Sequence, residues 1–113
     1  MIKLSIPLKA MSVNKLFQGR RFKTKAYNQY SRDFLFYAKA EKVEKMSGYF
    51  KITIKFHLIN WRRTDSNNLT KALFDSLVKA DIIEDDRFDM EEHIYKVPDK
   101  TDFIEIEIEK WPK

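Results

Sequence analysis

The residues able to do chemistry concentrate in one stretch, RRTDSNNLTKALFDSLVKADIIEDDR, from Arg62 to Arg87. Asp65 stands where the pattern starts a helix, and Asn67, Asn68 and Lys71 follow at offsets of two, three and six. Asp86 comes twenty-one residues after Asp65, preceded by Asp85. Hydrolysing a phosphodiester takes a divalent ion that neutralises the phosphate and activates water, so carboxylates from separate elements have to converge on one point. A carboxylate ahead of a helix and another beyond the turn that closes it can converge when the next strand folds back. Lys71 falls one turn into that helix, on the side of Asn67 and Asn68, where its ammonium can hold a phosphate. Each residue type also has an ordinary use. Asp65 or Ser66 can cap the helix, Asp75 pairs at i,i+4 spacing with Lys71 and Lys79 and is left out of the site, and Asp85-Asp86 can be a plain acidic turn. Singly, none of them decides.

The elements that must carry these residues are legible from periodicity. Ile2, Leu4, Ile6 and Leu8 alternate with Lys3, Ser5 and Pro7 as a half-buried strand, followed by a basic loop, MSVNKLFQGRRFKTK. From Ala26 to Met46 the period becomes helical, with Tyr27, Tyr30, Phe34, Tyr37, Ala38 and Glu41 at three- and four-residue steps, and Ser47-Gly48 as the stop. Phe50 to Leu58 alternates again, with one wet face. A second helix spans Asn67 to Ala80 and buries Leu69, Ala72, Leu73, Ser76, Leu77 and Ala80. A turn over Asp81–Asp86, a strand over Met90–Val97, a turn at Pro98–Thr101 and a last strand through Ile104, Ile106 and Ile108 complete the chain. The expected fold class is α/β (α+β), a small mixed four-stranded sheet with two helices in the order β-α-β-α-β-β. Residues 1–113 are read as one domain.

Composition narrows the chemistry. The chain has no cysteine, which removes disulfides and thiolate zinc sites, and its two histidines, His57 and His93, stand far apart in sequence. A bound metal would therefore take oxygen ligands, as Mg²⁺, Mn²⁺ and Ca²⁺ do. No apolar run approaches the ~20 residues that span a bilayer, and the N-terminus lacks a signal-peptide core, so a cytoplasmic protein without membrane contact is expected. The formal net charge is +5, which suits a polyanionic partner. Basic residues dominate from Lys3 to Lys55, whereas acids crowd Asp81–Glu92 and the C-terminal strand.

The central stretch resembles the signature of the RusA-like Holliday junction resolvases, an Asp-x-Asp-Asn-x-x-Lys block with a following Asp-x-Leu and a later Asp-Asp pair. Asp65, Asn68, Lys71, Asp75, Leu77, Asp85 and Asp86 stand at the matching positions. Upstream, Ser12, Asn14, Gly19 and Arg20 look like the family's N-terminal loop, and Tyr30 and Asp33 fall on the helix after it. The resemblance covers essentially the whole chain. It implies an endodeoxyribonuclease that uses Mg²⁺ and works as a homodimer making paired nicks across four-way DNA junctions in recombination and repair. The family is common in phages and prophages. By the same carry-over Asp65 and Asp86 are metal ligands, and Lys71 is catalytic or contacts phosphate. Asn67 departs from the pattern, which has an acid there. An amide oxygen still ligates Mg²⁺ but without the charge, so weaker metal binding is expected, with Asp85 or Glu84 assisting as a ligand and a need for higher Mg²⁺ or a preference for Mn²⁺.

Arg62 and Arg63 immediately precede the site, and Asn14, Lys15, Arg20, Arg21, Lys23 and Lys25 accompany the N-terminal loop; with Asn68 and Lys71 they form the expected DNA-binding set. A solvated basic loop is the plain alternative. Phe17 and Phe22 suit either base stacking or the core. Two further readings stand beside the nuclease: a catalytically weakened junction-binding protein that lost metal chemistry through Asn67, and a small basic interaction module.

Overall fold

The structure, a computed structural model, describes residues 1–12, 17–18, 22–64 and 69–112, the backbone alone at 17, 18, 22 and 23. Its frame is a four-stranded mixed sheet in the order β1-β6-β4-β5, with β1 at Ile2–Ile6, β4 at Phe50–Leu58, β5 at Asp89–Pro98 and β6 at Phe103–Lys110. Two-residue strands β2 (Phe17–Gln18) and β3 (Phe22–Lys23) pair antiparallel as a separate small hairpin. Two helices, α1 (Lys25–Glu41) and α2 (Thr70–Lys79), complete the element order. The main sheet and helices follow the expected β-α-β-α-β-β sequence.

Alternation puts one face of the sheet in the core. Ile2, Leu4 and Ile6 of β1 face Ile108, Ile106 and Ile104 of β6 across an antiparallel ladder, and those in turn pair with Ile52, Ile54 and Phe56 of β4. All are buried. Tyr27, Tyr30, Phe34 and Ala38 of α1 and Ala72, Leu73, Phe74 and Leu77 of α2 belong to the same continuous core. The opposite face is charged. Lys51 lies 3.5 Å from Glu91 and 3.4 Å from Glu109 on the two flanking strands. His57 is the buried exception there, stacked on Phe103 with ring centroids 3.8 Å apart and its two nitrogens turned to Asp99 and Glu105.

Several boundaries differ from the sequence reading. Helix α1 ends at Glu41, not Met46, because Lys42 takes a left-handed conformation (φ 53°) and its N–H returns to the Lys39 carbonyl. The apolar series stops at Ala38, and the next positions on that face, Glu41 and Lys45, offer nothing to bury. Gly48 does use its positive φ (76°), but in the turn that leads into β4. Strand β1 ends at Ile6, one residue before Pro7. The expected basic loop contains the β2–β3 hairpin, and Lys25 already belongs to α1. The described part of α2 starts at Thr70; the expected caps, Asp65 and Ser66, lie outside the described residues. Its buried face includes Phe74, and Ala80 is only half-buried.

Phe34 is fully buried where α1 meets the sheet. Phe34→Ala is expected to cost about 3–5 kcal/mol, a large part of the usual ~5–15 kcal/mol of a domain. Urea unfolding followed by circular dichroism measures it; a loss below ~1 kcal/mol would mean that α1 is held elsewhere.

Candidate active site

Strands β4 and β5 are parallel neighbours, so the chain between them must cross from one end of the sheet to the other. That crossing carries most of the candidate chemistry. It leaves β4 through a short 3-10 turn at Trp61–Arg63. The Lys96 ammonium on β5 donates to the carbonyls of Trp61 (3.1 Å) and Thr64 (2.7 Å) and fixes this departure. Arg62 and Arg63 are exposed, the Arg62 guanidinium 5.1 Å from the centre of the Trp61 ring.

At the other end of α2 the chain turns back. Asp81 adopts a left-handed conformation (φ 59°) and the Ile82 N–H returns to the Leu77 carbonyl at 3.0 Å. Ile82 and Ile83 are buried. They anchor a segment that composition alone reads as a polar turn. The Met46 N–H donates to the Ile82 carbonyl (2.7 Å), and Glu84 accepts from the Gly48 N–H (2.8 Å). Asp85 then caps a second 3-10 turn, Asp86–Phe88, with Oδ1 accepting from the Arg87 N–H at 3.0 Å.

This return brings Asp86 beside the first turn of α2. Lys71, Thr70, Asp86, Asp89 and Glu92 line a hollow of about 250 Å³. Asp86 also borders a second hollow of about 280 Å³, shared with Asp75, Asp85 and Lys79. The structure therefore sets Lys71 with Asp86 in one hollow and Asp85 with Asp86 in the other, and these hollows also hold three acids outside the expected site: Asp89 and Glu92 in the first, Asp75 in the second. Asp75 lies 3.9 Å from the Lys71 ammonium, the expected i,i+4 pair, and also accepts from the Tyr27 hydroxyl at 3.4 Å. Arg62 and Arg63 sit on the turn before α2. Asn14, Lys15, Arg20, Arg21, Asp65, Asn67 and Asn68 lie outside the described residues.

Crowding of like charge sets the electrostatics. The Arg87 N–H and the neighbouring Asp86 carboxyl hold Asp85 below the usual carboxylate range. Asp86 moves the opposite way, raised by its hydrogen bond to Asp85 and by burial, with the Lys71 charge as a partial counterweight. Asp89 is pushed up to about 8, chiefly by burial and then by its bond to Glu92. Its Oδ1 is buried and has no partner among the described residues. Carboxylates competing for protons around one lysine make a place where a cation would be welcome. The donors are oxygens, the kind hard cations take. Among the described residues no three acidic or imidazole side chains gather closely enough to hold a metal ion.

A sheet with a helical crossover that sets a lysine among carboxylates fits a phosphodiester-cleaving enzyme. The model of the endodeoxyribonuclease RusA family matches residues 9–109, nearly the whole chain, and the protein belongs to that family. No curated protein matches the chain. Among the described residues no helix is long and apolar enough to cross a membrane.

The position of Asp89 has a consequence for stability. Its folded value near 8 stands above the ordinary 3.8, so the protonated form contributes stability that is complete below about pH 4 and is lost as pH rises through about 8. Relative to Asp89→Asn, the wild type is expected to lose stability steadily between those limits. Urea midpoints in EDTA across that range measure the difference; parallel curves for the two proteins would contradict it.

Proposed function

We propose that this chain is a metal-dependent endodeoxyribonuclease that cuts four-way junctions and related branched DNA by paired nicks, acting as a homodimer in the cytoplasm, with a phage or prophage origin. The observation that supports it best is the meeting of Lys71 with Asp86 in one hollow, within a chain of the RusA endodeoxyribonuclease family. In this reading Asp86, with Asp85 beside it, supplies one half of an Mg²⁺ site, and Asp65 and Asn67 complete it; Mn²⁺ substitutes. When bound, the ion neutralises the scissile phosphate and lowers the pKa of a water. Lys71 holds a phosphate oxygen by its ammonium, a point charge that needs no fixed approach. Asn68, Arg62 and Arg63, together with Asn14, Lys15, Arg20 and Arg21, neutralise the DNA backbone and set its path. Two copies related by a two-fold axis present two such sites to a substrate of matching symmetry.

Cleavage of a synthetic four-way junction tests this directly. Removing second-sphere support for a metal costs about 10–100-fold, so Asp86→Asn, which alters a ligand itself, is expected to lower cleavage by at least about 100-fold while leaving metal-free junction binding in place. Absence of cleavage by the wild type at saturating Mn²⁺, with binding retained, would favour the weakened junction binder instead. Asn67→Asp is expected to shift the metal dependence to lower Mg²⁺; an unchanged titration would remove position 67 from the ligand set.

Backbone contacts have their own signature. Replacing both Arg62 and Arg63 with Ala is expected to reduce the salt slope of junction binding by about 2, near 0.9 per lost phosphate contact. A slope equal to that of the wild type would take the Trp61–Arg63 turn out of the interface.

A further inference from the structure

A cleft that shares no lining residue with the two hollows around Asp86 lies where the end of β4 meets α1 and the segment after β1. It holds about 580 Å³, within the range of pockets that take small organic groups. Its wall combines apolar side chains, among them Met11, Leu58 and Leu69, with Tyr30, Asp33 and Asp102, and Lys9 and Arg63 also line it. Tyr30 is 4% exposed, and its hydroxyl is buried with no hydrogen-bond partner among the described residues. A buried tyrosine hydroxyl ordinarily finds a partner, so this one marks a group still to be satisfied.

The charges say what kind of group. Asp33 already accepts from the Gln29 amide at 2.7 Å, and Asp102 from the Ile59 N–H at 3.0 Å. Both carboxylates keep a second oxygen, so this part of the wall can accept N–H donors, while Lys9 and Arg63 in the same lining balance their charge. Apolar surface beside such acceptors suits a flat heterocycle bearing an amino group. Arg63, next to the equally exposed Arg62, supplies the opposite charge at the border, where flanking phosphates would run.

We propose that this cleft binds one unpaired nucleobase displaced from the branched DNA substrate, with Tyr30 and Asp33 bonding its polar edge. The inference rests on the nuclease reading above and deepens it. Extruding a base costs stacking and pairing energy, and least where those are already broken, so a branch point offers the cheapest base to capture. The cleft thereby selects branched over continuous duplex and fixes the strand before it reaches the acids.

A four-way junction carrying 2-aminopurine at the branch point tests this with metal-free protein, gel shift on the same samples reporting occupancy. Saturating wild type is expected to raise the fluorescence as the base leaves the stack, with no rise for the same probe deep inside a duplex arm. Tyr30→Phe and Asp33→Asn each remove one hydrogen bond and are expected to weaken capture about fivefold, while Tyr30→Phe leaves the Tm unchanged or higher. A bound junction without a fluorescence rise, equal rises in wild type and both variants, or a rise deep in the arm would each overturn the cleft assignment. A lowered Tm for Tyr30→Phe would overturn its premise. If the wild type fails to bind the junction at all, the nuclease reading itself fails, and this inference with it.

Discussion

The parallel pairing of β4 with β5 is the constraint on which the rest depends. Parallel neighbours cannot be joined by a tight turn, so the residues from Ile59 to Phe88 must leave one end of the sheet and arrive at the other. The helix that makes the crossing pays for itself with a buried face of Leu69, Ala72, Leu73, Phe74 and Leu77. Its exposed side then carries Lys71. Because the buried pair Ile82 and Ile83 reels the chain back after the helix, Asp86 comes to lie against the helix start instead of trailing off its end. Hydrophobic burial thus does the positioning, and the polar residues are placed by it.

Strand β5 governs both halves of this arrangement. At its start the Asp86–Phe88 turn runs straight into Asp89. Near its far end Lys96 grips the carbonyls of Trp61 and Thr64, the last described residues before Asp65. The register along β4 runs from Phe50 opposite Asp89 to Leu58 opposite Pro98, with an irregularity between Phe50 and Lys51. A slip of one residue in such a ladder would turn every side chain to the other face. Lys96 would then leave the loop, and Asp89 and Glu92 would leave the hollow.

What was legible in the sequence follows from what each signal measures. Alternation in Phe50–Leu58 and Phe103–Lys110 reports a sheet with one wet face, and the structure has it. Period alone could not stop α1 correctly, because Ser47-Gly48 is a strong punctuation mark that belongs to the next turn, whereas the true stop is an ordinary lysine, Lys42, in a left-handed conformation. The β2–β3 hairpin has two residues per strand, too few for any period to register. Lys71, Asp85 and Asp86 were found through motif spacing. Asp89 and Glu92, which border the Lys71 hollow, stand outside the motif, Asp89 between the expected turn and strand and Glu92 within the expected strand, and Asp75 was set aside as a helix-surface ion pair. The cleft was invisible, since it assembles Met11, Tyr30, Leu58 and Asp102 from four separate places in the chain.

Asn67 departs from the motif, and the charge that the described residues carry around Lys71 bears on what that departure would cost the proposed metal site. Asp75, Asp85, Asp86, Asp89 and Glu92 already crowd the two hollows beside Lys71, and Asp86 and Asp89 hold their protons more tightly than free carboxylates do. Asn67 stands three residues ahead of Thr70, which lines one of those hollows. In the proposed metal site, a carboxylate at position 67 would add to the like charge that already raises Asp86 and Asp89. An amide oxygen offers a ligand without adding to that repulsion. On the proposal that position 67 is a ligand, this crowding lowers the cost of having one acid fewer.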